Sequence, residues 1–327
     1  MIEIRCDKRL LTLASVLTAC RPIPGAPQQA LVTDTKSRLS KIIEHPSSQW
    51  LIDAEKRVYL LGLAMQAVQL DVPPHFSPAP IEETPWYVRE YFSQVSAVDL
   101  SCHLETIWRE ANMEDLFRAQ QPFWQEAEAD LARAFAGIEV DDFQEHFFGS
   151  FPYHLVAVPL ANMAIEGWRA VGVANLLETY AVFLSNKPYQ SYGIDLLSLA
   201  TKHEASHPIL ADIERLYPDV PAQCAFIEQV YAPTNRFAQE YGDSGYRWTE
   251  TVIRTSTYFF LKFLGMNEEA ERYLHREIES GVTAIGVFVK ALNPWWQERK
   301  KGRAAGLDEM LHELPSWLQK TVSERGT

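Results

Sequence analysis

Apolar positions recur with a period near 3.6 residues along most of this chain, a spacing that predicts amphipathic helices. The first 135 residues contain only such stretches and proline-rich breaks between them, so we expect a helical N-terminal region over residues 1–135. Further helices are predicted towards the C-terminus over residues 194–207, 222–231, 248–264, 267–280 and 282–292. The pattern therefore describes a mainly helical protein.

Two short runs depart from the helical pattern. Residues 153–161 form an apolar, β-branched run that follows the turn residues Gly149 and Pro152, and residues 178–185 form a second run of the same kind. Such runs between turn residues are typical of strands. We therefore expect a mainly α fold with a small β-sheet (α+β), in which a second region, residues 136–327, holds the sheet.

Composition narrows the class of protein. The chain has 327 residues, of which 47% are hydrophobic and 22% charged, as in ordinary globular proteins. Its formal net charge of −13 provides no basic surplus to bind phosphates, which argues against a nucleic-acid partner. No apolar run reaches the roughly 18–20 residues that a membrane-spanning helix needs, so no membrane span is expected.

The N-terminus allows two interpretations. Leu17-Thr-Ala-Cys20 follows a short apolar run and could be a lipoprotein cleavage box, with Cys20 as the anchored residue. Glu3 and Asp7, however, lie where a signal peptide carries only positive charge, and the run from residue 10 to 17 has helical spacing. We therefore favour the first helix of a folded, cytoplasmic protein. The four cysteines form no Cys-x-x-Cys pair, which argues against a disulfide framework or a cysteine zinc site.

One motif points to a specific chemistry, the segment His203-Glu-Ala-Ser-His207. On a helix, residues four apart lie on the same face, so both imidazoles can bind one Zn²⁺ ion. Glu204 can then accept a proton from zinc-activated water and pass it to the leaving amine as a general base. The alternative is that both histidines are ordinary core residues. Pro208 follows directly and is expected to kink or end the helix.

A catalytic zinc ion needs a third protein ligand, and no further histidine follows at a suitable spacing. A carboxylate from a later helix is the usual alternative, and Glu214, Glu228, Glu240 and Glu250 are the candidates. Glu250 is favoured because it lies on the apolar face of the helix predicted over residues 248–264, where an unpaired carboxylate is costly. An ion pair with Arg254, one turn later, would also explain it, and Glu228 remains the second choice.

The order of these residues resembles a known class. The HEASH segment, a loop with glycines and aromatics at residues 241–248, and Glu250-Thr-Val-Ile-Arg254 resemble the gluzincin-type metallopeptidases. The likeness is greatest to a bacterial family catalogued as domain of unknown function 4932. This resemblance implies a zincin-like catalytic region over residues 136–327. It also implies zinc held by His203, His207 and Glu250, with Glu204 as the base.

The function expected on these grounds is zinc-dependent hydrolysis of peptide bonds in a peptide or protein substrate. We expect the strand at residues 153–161 to pair with the extended substrate. A tetrahedral intermediate also needs a donor for its oxyanion, and the candidates are Tyr241, Tyr246, Arg254 and His154. A second hypothesis is a non-catalytic helical binding module, or an inactive zincin-like protein. Its binding patch would be an exposed Trp295-Trp296 pair.

Overall fold

The computed structural model of this chain describes residues 2–20, 30–91, 94–149, 153–161, 168–175, 177–185, 189–192, 194–231, 237–239 and 244–324. These residues are mainly helical and include one small mixed sheet, so the predicted α+β class is confirmed. Among them, no helix combines the length and the apolar character needed to cross a lipid bilayer.

The strands are β1 (Glu3–Ile4), β2 (His154–Leu160), β3 (Trp168–Ala174) and β4 (Glu178–Ser185). The helices of the first half are α1 (Lys8–Cys20), α2 (Ala30–Arg38), α3 (Pro46–Ala67), α4 (Trp86–Tyr91), α5 (Ala97–Glu110), α6 (Met113–Ala134) and α7 (Val140–Phe148). Those of the second half are α8 (Ile194–Leu216), α9 (Val220–Cys224), α10 (Phe226–Val230), α11 (Ser244–Phe263), α12 (Asn267–Ser280), α13 (Ile285–Lys300), α14 (Leu307–Met310) and α15 (Leu314–Ser323).

The chain divides into two compact units, each built from two segments. Unit 1 comprises Met1–Ile138 and Tyr153–Ala205, and unit 2 comprises Glu139–Pro152 and Ser206–Thr327. The boundary expected between residues 135 and 136 lies close to the first passage from unit 1 to unit 2. The return of the chain to unit 1 for the sheet was not anticipated. The second passage falls within helix α8, which continues without a break from one unit into the other.

The sheet belongs to unit 1 and has the strand order β1-β2-β4-β3. Strand β2 is parallel to both of its neighbours, β1 and β4, whereas β3 is antiparallel to β4. The two predicted strands are thus confirmed as β2 and β4. Strand β2, which the sequence expects to pair with the substrate, is interior in this order, and β1 and β3 lie at the two edges.

Helix α1 confirms that residues 10–17 form a helix of a folded unit, although its environment differs from the prediction. Its residues from Arg9 to Ala19 are all buried, and it packs against α2, α3 and α5. A helix surrounded in this way has no polar face to expose, which is why its apolar residues extend beyond one stripe. Arg9 is accommodated by an ion pair with Asp7 and by donating to the Tyr180 hydroxyl at 2.9 Å.

Unit 2 is organised around aromatic side chains. Phe143 and Phe147 of α7 contact Trp296 of α13, and Phe147 also contacts Phe259 of α11. Trp295 and Trp296 are only 6% and 1% exposed. The predicted binding patch of exposed tryptophans is therefore wrong, because these rings fill the core that packs α7, α11 and α13 together.

Helix α8 carries the HEASH segment and extends further than expected. It continues through Pro208 to Leu216, so of the two predicted effects of the proline, a kink or an end of the helix, the end is wrong. The proline ring still removes the helical hydrogen bond to the Glu204 carbonyl. Ser206 is fully buried and accepts a 3.1 Å hydrogen bond from the Gln144 side chain of α7, which ties the helix to the core of unit 2 just before the proline.

Candidate metal centre

The two histidines of the HEASH segment lie one turn apart on α8, and Glu250 reaches the same place from α11. The Glu250 Oε1 atom is 3.4 Å from His207 Nε2. One ligand atom from each of His203, His207 and Glu250 can be chosen such that all three lie within 4.8 Å of one another. This is the group of side chains among the described residues that is able to hold a metal ion by its chemistry and spacing.

The donor set and its spacing fit a zinc ion. Two imidazoles and one carboxylate are a common set of protein ligands for catalytic zinc. Ligand atoms about 2.1 Å from a tetrahedral ion are about 3.4 Å from each other. The observed separation of 3.4 Å between His207 Nε2 and Glu250 Oε1 agrees with that value, and it is also the distance of a His–Glu ion pair. About a third of the His207 side chain (32%) is exposed, so the group is accessible from solvent.

Glu250 is held by groups on its own helix and the next. Its side chain is only 6% exposed, and its second oxygen, Oε2, accepts from Arg254 Nε at 3.2 Å. Arg254 Nη1 also donates to Glu277 Oε2 of α12 at 2.5 Å. The ion pair with Arg254 and the proximity to His207, which were alternatives in the sequence, therefore occur together, one on each oxygen of the same carboxylate.

Glu204 is fastened to the sheet within unit 1. Its Oε2 atom accepts a 2.8 Å hydrogen bond from the backbone N–H of Gly172 on edge strand β3. A Cβ atom at Gly172 would lie 2.4 Å from the Glu204 carbonyl oxygen, so only glycine permits this approach. Pro208 lacks the N–H that would bond this carbonyl in a regular helix, and the Cα–H of Gly172 points at the same oxygen. Sheet and helix therefore meet at both the side chain and the backbone of Glu204.

The other carboxylate candidates have different partners. Glu228 forms a two-pronged ion pair with Arg247, with distances of 2.7 and 2.8 Å. It lies in the wall of a cavity of about 300 Å³ between α9, α10, α11 and α13. Glu214, two turns beyond His207 on α8, accepts from Trp248 Nε1 at 2.8 Å and from the Thr249 hydroxyl at 3.0 Å. Glu240 lies outside the described residues.

The candidates for an oxyanion donor are placed as follows. Arg254 bonds Glu250 and Glu277, and His154, at the start of β2, has its Nε2 atom 2.8 Å from Glu3 Oε2. Tyr246 lies in the first turn of α11, and its side chain is not described. Tyr241 lies outside the described residues. A role of any of these four in binding an oxyanion stays a prediction.

Sequence reasoning missed two contributors to this centre. Gly172 belongs to a strand that was not predicted, and its only signal was a glycine inside the β-branched run Val171-Gly-Val173. A glycine in a strand often marks a close backbone approach, so that signal was available. Glu277 gave no such signal, because it is one of several glutamates on a highly charged helix.

The chain was compared with protein families, curated proteins and solved structures. No protein-family model matches the chain, and neither a curated protein nor a solved structure matches it.

Proposed function

We propose that this protein is a zinc-dependent metallopeptidase. The observation that carries the proposal is the juxtaposition of Glu250 Oε1 and His207 Nε2 at 3.4 Å on the helix that also bears His203 and Glu204. A HExxH helix with a third carboxylate ligand is the arrangement that zinc peptidases use to cleave peptide bonds. The resemblance to gluzincin-type enzymes agrees with this ligand order, and it stays a prediction.

In the proposed reaction His203, His207 and Glu250 hold the metal. A zinc ion bound there would polarise the scissile carbonyl and lower the pKa of the attacking water. Glu204 then accepts a proton from the attacking water at its carboxylate and returns it to the amine that leaves. The hydrogen bond from Gly172 N–H to Glu204 Oε2 restrains the orientation of this carboxylate.

We propose that the substrate is a peptide or protein segment that reaches Glu204. Strand β2, which the sequence expected to pair with the substrate, is interior to the order β1-β2-β4-β3. Strand β3 lies at the edge, but its Gly172 N–H already donates to Glu204 Oε2, and its Ala174 carbonyl accepts from Gln69 Nε2 at 2.7 Å. The edge of β3 is therefore already occupied at these two residues.

We also propose that the protein acts in the cytoplasm. All four cysteines are free, and Cys224 is buried, which raises its thiol pKa to about 12. Free thiols are typical of proteins in a reducing compartment.

The test is the metal content of protein purified without a metal-affinity tag. We expect about one zinc ion per chain in the wild type and in Glu204→Gln, and none in the double variant His203→Ala, His207→Ala. The double variant His275→Ala, His312→Ala is the matched control, because it removes two exposed histidines elsewhere. In a peptide-library assay, Glu204→Gln is expected to lose activity while it keeps its zinc. Absence of zinc from wild-type protein after dialysis against zinc would contradict the proposal.

A further inference from the structure

Two buried carboxylates share one guanidinium beside the proposed metal centre. Glu250 and Glu277 are 5% and 7% exposed, and Arg254 lies between them. Its Nε atom is 3.2 Å from Glu250 Oε2, and its Nη1 atom is 2.5 Å from Glu277 Oε2. The three charges form a chain that runs from α11 to α12, within unit 2. A buried charge is costly unless it is paired, so this chain has a strong reason to stay intact.

The chain of charges determines which oxygen of Glu250 faces His207. A carboxylate on a free side chain can rotate and present either oxygen, or both, to a cation. Here Oε2 is occupied by Arg254, and Oε1 lies 3.4 Å from His207 Nε2. Because Arg254 is itself held by Glu277, its guanidinium cannot follow a rotation of Glu250 without breaking the shorter, 2.5 Å contact. The orientation of Glu250 is thus fixed before any ligand arrives.

We propose that Arg254 is a positioning residue for the metal ligand Glu250, and that Glu277 holds Arg254 in place. Arg254 aligns one oxygen for ligation without touching the metal or the substrate. This inference rests on the proposed function, and it replaces the oxyanion role that the sequence suggested for Arg254. Residues that orient metal ligands typically contribute 10–100-fold to metal affinity.

The test is the zinc affinity of variants, measured by competition with a chromophoric chelator on protein whose folding is verified by circular dichroism. We expect Arg254→Gln to weaken zinc binding about 10–100-fold. Arg254→Lys should recover only part of the loss, because an ammonium ion cannot bond two carboxylates in the planar geometry of a guanidinium. Glu277→Gln should cause a smaller loss, of about 3–10-fold, because Arg254 still reaches Glu250.

Lys262→Gln is the matched control. Lys262 of α11 pairs with Glu271 of α12 at 2.9 Å, so this variant also breaks an ion pair between the two helices. It leaves the groups around Glu250 unchanged, and we expect its zinc affinity to stay within about twofold of the wild type. An equal loss in Lys262→Gln and Arg254→Gln would show that docking of α12 matters rather than positioning of Glu250, and would overturn the inference.

Two further outcomes separate this inference from the proposed function. Wild-type affinity in a folded Arg254→Gln variant overturns the positioning role and leaves the zinc site standing. Failure of the wild type to bind zinc overturns both. If Arg254→Gln does not fold, Glu277→Gln becomes the test of the proposal. An unchanged zinc affinity of Glu277→Gln would then contradict it.

Discussion

Helices α8 and α11 bring a half-buried glutamate, Glu214, and a buried one, Glu250, into very different surroundings. Glu250 lies between an imidazole and a guanidinium, whereas Glu214 accepts hydrogen bonds, among the described residues, from the indole N–H of Trp248 and the hydroxyl of Thr249. Burial raises the pKa of Glu214 to about 7, and its two hydrogen bonds oppose this rise only in part. Burial of a carboxylate therefore does not by itself make a metal site. Charged and ligating partners make that difference.

The largest effect is expected when the charge of Glu250 is removed, with the second-choice carboxylate Glu228 as the control. Glu250→Gln should weaken zinc binding more than about 100-fold, beyond the range typical of residues that only orient ligands, because it removes a proposed ligand. Glu228→Gln changes a carboxylate that is already paired with Arg247, and we expect zinc affinity close to that of the wild type. Competition with a chelator measures the zinc affinity of both variants. Equal affinities of the two variants would contradict a ligand role for Glu250.

The second test concerns the pH dependence of stability. Because the pKa of Glu214 is about 7 in the folded protein and near 4.3 in an unfolded chain, the folded state binds the proton more tightly. Stability contributed by this group therefore falls as the pH rises from about 4.3 to 7. Glu214→Gln cannot ionise and still offers an oxygen to Trp248 and Thr249. We expect it to exceed the wild type by about 2 kcal/mol in free energy of unfolding at pH 8.

Urea denaturation at pH 5 and pH 8 measures this effect. The difference between variant and wild type should be small at pH 5, where Glu214 is protonated in the folded protein. A difference that stays constant with pH would mean that Glu214 titrates normally, and the contrast with Glu250 would then disappear.

A smaller effect is expected at Gly172, whose backbone N–H donates a hydrogen bond to Glu204, the other glutamate of α8. Gly172→Ala places a Cβ atom 2.4 Å from the Glu204 carbonyl oxygen, so strand or helix must shift. We expect a loss of about 1–2 kcal/mol in the free energy of unfolding. Gly286→Ala is the matched control, because a Cβ atom at Gly286 would lie at an ordinary contact distance of 3.6 Å from its nearest neighbour. Gly265 is unsuitable as a control because its φ is positive. Equal stability of the Gly172 and Gly286 variants would argue against a close fit at Glu204.

The smallest effect is expected for an exposed ion pair on α12. Arg272 and Glu269 are 2.5 Å apart, and their side chains are 67% and 39% exposed. Arg272→Gln should change the free energy of unfolding by less than about 0.5 kcal/mol, because water and salt screen exposed charges. Urea denaturation would contradict this if the loss matched that of Arg254→Gln, whose partners Glu250 and Glu277 are buried.

Much of the fold could be predicted from local pattern. The periodicity of apolar residues predicted α12 at its observed bounds. It also predicted α11 to within about one turn at each end, and it predicted the start of α8 but not its end. The β-branched runs predicted β2 and β4. Strand β3 was missed, because Gly172 separates its two β-branched residues, Val171 and Val173. The end of α8 was placed too early because a proline was expected to stop the helix, whereas α8 continues through Pro208.

The sequence by itself determined that His203, Glu204 and His207 share one segment and that two of them face the same way, because helical spacing is a local property of four consecutive peptide units. It also ranked Glu250 first among the carboxylates, since its helix has a clear apolar face. Only the tertiary structure decided that Glu250 Oε1 lies beside His207, that Arg254 and Glu277 hold its other oxygen, and that Gly172 contacts Glu204. The contacts of His207 with Glu250, of Arg254 with Glu277 and of Gly172 with Glu204 join residues 23 to 43 positions apart in the chain. The packing of whole helices and strands, which no local pattern encodes, brings them together.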